Sequence, residues 1–289
     1  MVYIGIDLGG TGIKIGVVDE SGTILSQGET PTLAGRPYED IIADMGRCML
    51  DVMARGGFEE KDIASIGVGI PGVADEKTGH VIFCTNLGWS DVPLRTELQK
   101  YLNKPVYIDN DATVAGFAES ICGVSAGCHS SVFMTLGTGV GGGIVIGGRP
   151  WSGFHGVGSE IGHIPMDKQM VLQHPDSLMY DLCSGDVSKL TAKMVFDAAK
   201  ELDDVAMKVF NHYVDYLCKA IYTIIAFLDP EMIVLGGGIS KSGDFLLNAV
   251  RERIPRYLLF KTLPYSRVEI ARLGADAGMI GAAMLGRHA

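Results

Sequence analysis

The sequence predicts a duplicated α/β fold with a cleft between its two halves, and three observations carry that expectation. The chain opens with two short apolar runs, Tyr3 to Ile6 and Ile13 to Val18, separated by a glycine-rich turn. Nearly half the chain later the pattern returns, with Val132 to Leu136 and Ile144 to Ile146 flanking Gly137-Thr-Gly-Val-Gly-Gly-Gly143. Each copy is followed by further short apolar runs alternating with helical patterns, as expected of sheets covered by helices. A chain of 289 residues has room for two such cores.

Apolar runs bounded by glycines read as the buried strands of a hairpin. In the first turn Gly9, Gly10 and Gly12 permit backbone conformations closed to other residues, so that consecutive N–H groups can converge on an anion. Asp7, Thr11 and Lys14 give the turn chemical groups, and Asp7 is placed to hold a hydrated magnesium ion. An ordinary glycine-rich hairpin would look the same, so the turn alone decides nothing. Ile24 to Glu29 reads as a third strand. Pro37 to Arg55 reads as a helix, because Ile41, Ile42, Met45, Cys48, Met49, Val52 and Met53 fall on one face. Ile63 to Ile70 is a strand stopped by Pro71-Gly72, and such strand ends are where open α/β sheets bind ligands. The loop from Val81 to Pro93 carries Asn86-Leu-Gly-Trp89, in which the Trp suits sugar stacking or core cover equally. After a short helix at 94–102, the strand Pro105 to Ile108 delivers Asp109-Asn110-Asp111 to a helix over 112–122. The plain alternative there is that Asp109 or Asp111 only caps the helix.

In the second half, Glu160 and His163 stand three apart, close enough to share one face of a turn. The stretch 165–184 shows no periodicity. Helices follow at 186–202 and 203–228, then a strand at 232–235 closed by Gly236, Gly237 and Gly238, a helix at 242–254, a strand at 268–273 and a last helix at 275–285. Gly137-x-Gly139-x-x-Gly142 matches a dinucleotide fingerprint in letters, but that motif needs a helix directly after it, and β-branched residues follow here instead. No Gly-Lys-Ser or Gly-Lys-Thr occurs, which excludes a P-loop. Phosphates are therefore expected at the hairpin turns.

A net charge of -10 argues against non-specific binding to nucleic acid or to anionic membrane. No uncharged apolar run approaches the ~20 residues of a membrane span, and the first strand begins almost at Met1, so a cytoplasmic protein is expected. Six scattered cysteines without a Cys-x-x-Cys pair read as buried reduced thiols.

Taken together, Asp7-Leu-Gly-Gly-Thr-Gly-Ile-Lys14, Gly69-Ile-Pro-Gly72, Asn86-Leu-Gly-Trp89, Asn110-Asp111, Leu136-Gly-Thr-Gly-Val-Gly-Gly143, Glu160-Ile-Gly-His163 and Leu235-Gly-Gly-Gly-Ile239 stand in the order found in the ROK family of repressors and sugar kinases. The chain resembles that family from Val2 to Gly286. The resemblance implies an actin-like, hexokinase-like (ribonuclease H-like) fold of two domains closing over ATP and a sugar. Residues 1–112 plus 275–289 would form the smaller domain and 113–274 the larger. It further implies that Asp7, Gly9, Gly10, Thr11 and Lys14 form a first phosphate loop, with Asp7 near Mg2+. Gly137, Thr138 and Gly139 would form a second loop, and Gly236, Gly237 and Gly238 would lie against the adenosine. Asn86, Asn110, Asp111, Glu160 and His163 would hold sugar hydroxyls, with Asp111 as catalytic base. Glucose is the first candidate sugar, with a β-glucoside, allose, mannose or N-acetylated hexosamine as alternatives. Dimers are common among similar proteins, so a homodimer is expected. A non-catalytic sugar sensor or a ROK-type regulator is the lesser alternative; regulators of the family carry an added helix-turn-helix, and with the first strand beginning almost at Met1 none is expected here. One departure stands out: the family's cysteine-rich zinc motif after Glu-x-Gly-His is missing from 165–180, so no zinc is predicted. In that altered stretch Tyr180 falls where the family has a sugar-binding Glu, and His174 reads as a solvated side chain.

Overall fold

The computed structural model describes residues 1–137, 139–154, 156–164 and 191–287. The opening hairpin is β1 (Val2–Leu8) with β2 (Gly12–Asp19), extended by β3 (Ile24–Pro31). Then β4 (Ile63–Ile70) and β8 (Val106–Asn110) add on the other side of β1, both parallel to it, giving the order β3-β2-β1-β4-β8. The second sheet repeats this plan. Here β9 (Ser130–Leu136), β10 (Val140–Ile146) and β11 (Arg149–Pro150) are antiparallel, and β12 (Met232–Gly236) and β13 (Arg267–Ile270) add in parallel, in the order β11-β10-β9-β12-β13. The duplication expected from the two glycine turns is thus a duplication of sheet topology.

Between β4 and β8 lies a small sheet not anticipated from the sequence, made of β5 (Val73–Asp75), β6 (His80–Cys84) and β7 (Trp89–Val92). Its strands are short and mixed in polarity, so no period of two marks them. Trp89 is buried with Leu87 and Val92 in the first core, which settles its reading as core cover.

Helix α1 (Tyr38–Gly56) lays Ile41, Met45 and Met49 on the first sheet, and Gly57 ends it in the left-handed conformation. α2 (Leu94–Gln99) is shorter than expected, and α3 (Asp111–Cys122) follows β8 directly. On the second sheet, α4 (Ala192–Lys200), α5 (Asp204–Leu228), the single turn α6 (Gly237–Ser240) and α7 (Asp244–Tyr257) complete the layer. Phe210, Val214 and Ile221 of α5 pack with Val132, Met134 and Ile233. The expected helix at 186–202 is described only from residue 191 onward. The last helix, α8 (Ala277–Met284), is buried along its whole length. It approaches α3 so closely that a methyl group at Gly281 would lie 1.7 Å from the Val114 carbonyl oxygen.

One boundary differs from expectation for a clear reason. Gly141, Gly142 and Gly143 belong to β10 and not to the turn. A side chain at Gly142 would strike the Ser159 carbonyl at 2.4 Å, and one at Gly143 the Ala112 carbonyl at 2.5 Å. These glycines make β10 a floor on which the start of α3 and the segment around Ser159 both rest. Among the described residues no helix is long and apolar enough to cross a membrane.

Candidate active site

The two hairpin turns are tight. Gly9 N–H donates to Gly12 O at 3.0 Å, and Gly137 N–H donates to Gly139 O at 3.0 Å. The first turn is also braced by Thr32, which is fully buried and donates its hydroxyl to Gly9 O at 2.6 Å. Sequence reasoning missed Thr32, whose partner lies on the far side of β3. Gly10 faces Asn86, with 3.9 Å between a methyl group placed at Gly10 and the Asn86 Cβ. Asn86 sits in the single 3-10 turn Thr85–Leu87, so this turn lies beside the first glycine turn.

At the second turn, Gly137 and Gly139 face open space, as does Gly238. Gly237 has a φ of 83° and passes the Leu136 carbonyl at a distance no side chain would tolerate. The stretch 236–238 therefore lies against the C-terminal end of β9, beside the second turn. Thr138 lies outside the described residues, as do Tyr180, His174 and the whole stretch on which the expectation of no zinc rests.

Asp7, on β1, pairs across the hairpin with Lys14. Its pKa is raised to about 6, chiefly by burial and also by the charge of Asp111, with Lys14 opposing the rise. The Lys14 ammonium is itself engaged elsewhere, donating to Ala275 O at 3.0 Å and to Asp276 Oδ1 at 3.3 Å. In this conformation it ties the hairpin to the segment that enters α8.

The helix carrying Asp111 is capped by neither aspartate. Asn110 is the cap, its Oδ1 accepting from Ala112 N at 2.9 Å and from Thr113 N at 3.3 Å, while its Nδ2 donates to Gly72 O at 3.3 Å. Asp111 occupies the first helical position and, among the described residues, accepts from Ala112 N at 2.8 Å. Its pKa is raised chiefly by burial and also by the charge of Glu160, with the Ala112 N–H pulling the other way. Asp109 was read only as a possible cap. It is instead a partly buried carboxylate whose pKa is lifted to about 6, chiefly by removal from water, and it accepts from Asn110 N at 2.7 Å and from Ser152 Oγ at 3.3 Å.

Glu160 precedes the 3-10 turn Ile161–His163, and its Oε2 lies 3.9 Å from His163 Nε2. The His163 side chain is 84% exposed against 47% for Glu160, so His163 stands at the rim. Beside Asn110 opens a cavity of about 890 Å³, lined among others by Gly72, Phe83, Asp109, Trp151 and Ser152. Its size lies within the range of about 300–1,000 Å³ usual for small-molecule sites.

This arrangement is paralleled in known proteins. The ROK family model matches residues 3–184 and 177–289. A glucokinase of Halalkalibacterium halodurans is 36% identical over 98% of this chain and 94% of its own length. A glucokinase of Thermotoga maritima is 32% identical over 98% of this chain and 96% of its own. Among solved structures, a ROK family glucokinase from Streptomyces griseus in complex with glucose and AMPPNP superposes with a TM-score of 0.80 at 29% identity, covering 100% of both chains. With two glycine hairpins on two sheets of like topology, and a family match running nearly from end to end, the chain belongs to the ROK family, on its sugar-kinase side.

Proposed function

We propose that the protein transfers the γ-phosphoryl group of ATP to a hexose hydroxyl, in the first instance the 6-hydroxyl of glucose, with Asp111 as general base. The observation that carries this reading is the position of Asp111. It lies partly buried at the start of α3, close enough to Asp7 and to Glu160 for charge to be felt within each pair. Phosphoryl transfer asks little covalent chemistry of a protein; it asks for placed phosphates, charge compensation and a group to take the proton of the attacking hydroxyl. The turns at Gly9–Gly12 and Gly137–Gly139 supply backbone N–H groups for the phosphates. Asn86, Asn110, Glu160 and His163 orient the sugar, and Asp111 accepts the proton as the oxygen attacks phosphorus and the bond to the ADP oxygen breaks. A raised pKa suits this role, because it makes the carboxylate a better proton acceptor.

Asp7 and Asp111 form a carboxylate pair short of positive charge, since Lys14 is shared with Asp276, and hard oxygen donors of this kind fit magnesium. Held by Asp7 through water, magnesium would supply positive charge to the phosphate oxygens. The glucose and AMPPNP bound in the Streptomyces griseus glucokinase support both substrate classes. The test is a coupled ADP-release assay over glucose, mannose, allose, fructose, N-acetylated hexosamines and β-glucosides. ADP release with glucose is expected; inactivity on every sugar would defeat the reading.

A further inference from the structure

The segment that carries Glu160 leaves β11 as a loop with a closed neck. Gly158 N–H donates to Ser152 O at 2.7 Å, so the chain returns to its starting point before reaching Ser159 and Glu160. The two residues flanking this neck each send a hydroxyl to the other side of the cleft. Ser152 Oγ donates to the Asp109 carboxylate, at 3.3 Å to Oδ1 and 3.5 Å to Oδ2. Ser159 Oγ shares a buried hydrogen bond of 3.2 Å with Thr113 Oγ1. Asp109 and Thr113 bracket Asn110 and Asp111. Underneath, Gly142 and Gly143 of β10 admit both segments to close approach.

We propose that the Ser152–Asp109 and Ser159–Thr113 pairs form a two-point clamp that sets the separation of Asp111 from Glu160, making Asp109 and Ser152 positioning residues for phosphoryl transfer. One contact would leave the loop free to swing about it, whereas two contacts at either end of Asn110-Asp111 fix both distance and register. The burial of Asp109 supports a role beyond packing. Among the described residues Asp109 has one backbone donor and one long hydroxyl contact, an expensive way to fill space, and an asparagine of the same shape would fill it without the charge. The clamp rests on the kinase reading for its effect on rate, but not for its effect on the loop.

The experiment therefore has two arms. In the first, hydrogen exchange at the Gly158 amide is followed in the parent, Ser152→Ala, Ser152→Thr and Thr113→Val. Loss of either clamp point is expected to speed this exchange at least tenfold, with Ser152→Thr retaining the parent's protection. In the second, sugar and ATP kinetics are measured for the same proteins and for Asp109→Asn. A misplacement of about 1 Å can cost about 10²-fold in rate, so Ser152→Ala and Asp109→Asn should lower kcat roughly tenfold to a hundredfold with KM for ATP unchanged. Ser152→Thr should recover most of the rate, and the Ser152→Ala/Asp109→Asn double variant should be no slower than the worse single one. Unchanged exchange at Gly158 overturns the clamp whatever the activity. So does a Ser152→Thr variant as slow as Ser152→Ala, or losses that multiply in the double variant. A parent inactive on every sugar defeats the kinase reading instead, and leaves the exchange arm to decide the clamp.

Discussion

Glu119 offers the sharpest test of how the two halves are held together. It is fully buried on α3, and its carboxylate accepts from three backbone N–H groups, each at 2.8 Å. Oε1 takes Arg272 N and Leu273 N from the far end of the chain, and Oε2 takes Val124 N just past the helix. Hydrogen bonds to charged groups contribute about 1.5–3 kcal/mol each, and a buried donor left unmade costs about 1–3 kcal/mol. Glu119→Gln keeps the shape and can still offer its oxygen to Arg272 and Leu273, but its amide then faces Val124 donor to donor. That costs about 2–3 kcal/mol by the same values. Glu119→Ala strands all three donors, for a loss of roughly 3–6 kcal/mol. At about 2–4 °C per kcal/mol for a domain of roughly 150–250 residues, the expected drop in Tm is of the order of 5–10 °C for Gln and 10–20 °C for Ala. Differential scanning calorimetry reads both. An alanine variant melting within a degree of the parent, or a glutamine variant worse than alanine, would refute the assignment.

Asp111→Asn should cut kcat by about 10²–10⁴, the usual yield of general-base catalysis, while calorimetric titration still shows sugar binding; parent-like turnover would remove Asp111 from the role. Asp109 has a pH signature. Its folded pKa, about 6, is raised above the ordinary aspartate value of 3.8, so the native state binds the proton more tightly than the unfolded chain. The stability this provides is full below about pH 4 and is lost as pH rises through 6, in an amount of at most about 3 kcal/mol. Asp109→Asn should therefore be the more stable protein at pH 7 and lose that advantage at pH 4, measured by urea denaturation at the two values. Gly281→Ala would place a methyl group 1.7 Å from the Val114 carbonyl oxygen, between two backbones that cannot yield, and should cost several kcal/mol or prevent accumulation of folded protein. A Gly281→Ala variant with parent-like Tm would show that α8 and α3 separate freely.

Much of this was legible in the sequence because it is local. Glycine turns between apolar runs mark hairpins, and α1 declares itself by the spacing of Ile41, Met45 and Met49. The topology of both sheets follows from the repetition. What stayed hidden depends on partners remote in the chain. Nothing near Glu119 announces Arg272, nothing near Asp109 announces Ser152, and Thr32 gives no sign of bracing Gly9. The glycines of 141–143 were read as turn because glycine signals both a turn and a close approach, and only the neighbours Ser159 and Ala112 tell the two apart. The helix cap is a similar case. Asp109, Asn110 and Asp111 are all good caps by type, and it is the backbone leaving β8 that selects Asn110.

The buried carboxylates separate into two kinds, and the difference lies in how many donors each has. Glu119 accepts three N–H groups and is wholly structural. Among the described residues Asp7, Asp109 and Asp111 have fewer donors, and their pKa values are raised by burial; all three stand at C-terminal strand ends of the first sheet or one residue beyond, where open α/β sheets keep their ligands. A sequence shaped for stability alone would neutralise them, since each charge is held against its own desolvation. Asp109 lines the cavity beside Asn110, and Asp7 lies close enough to Asp111 to feel its charge. On the proposed reading, a magnesium nucleotide would bring the positive charge, and the hydroxyls of a sugar the hydrogen-bond donors, that these carboxylates lack among the described residues.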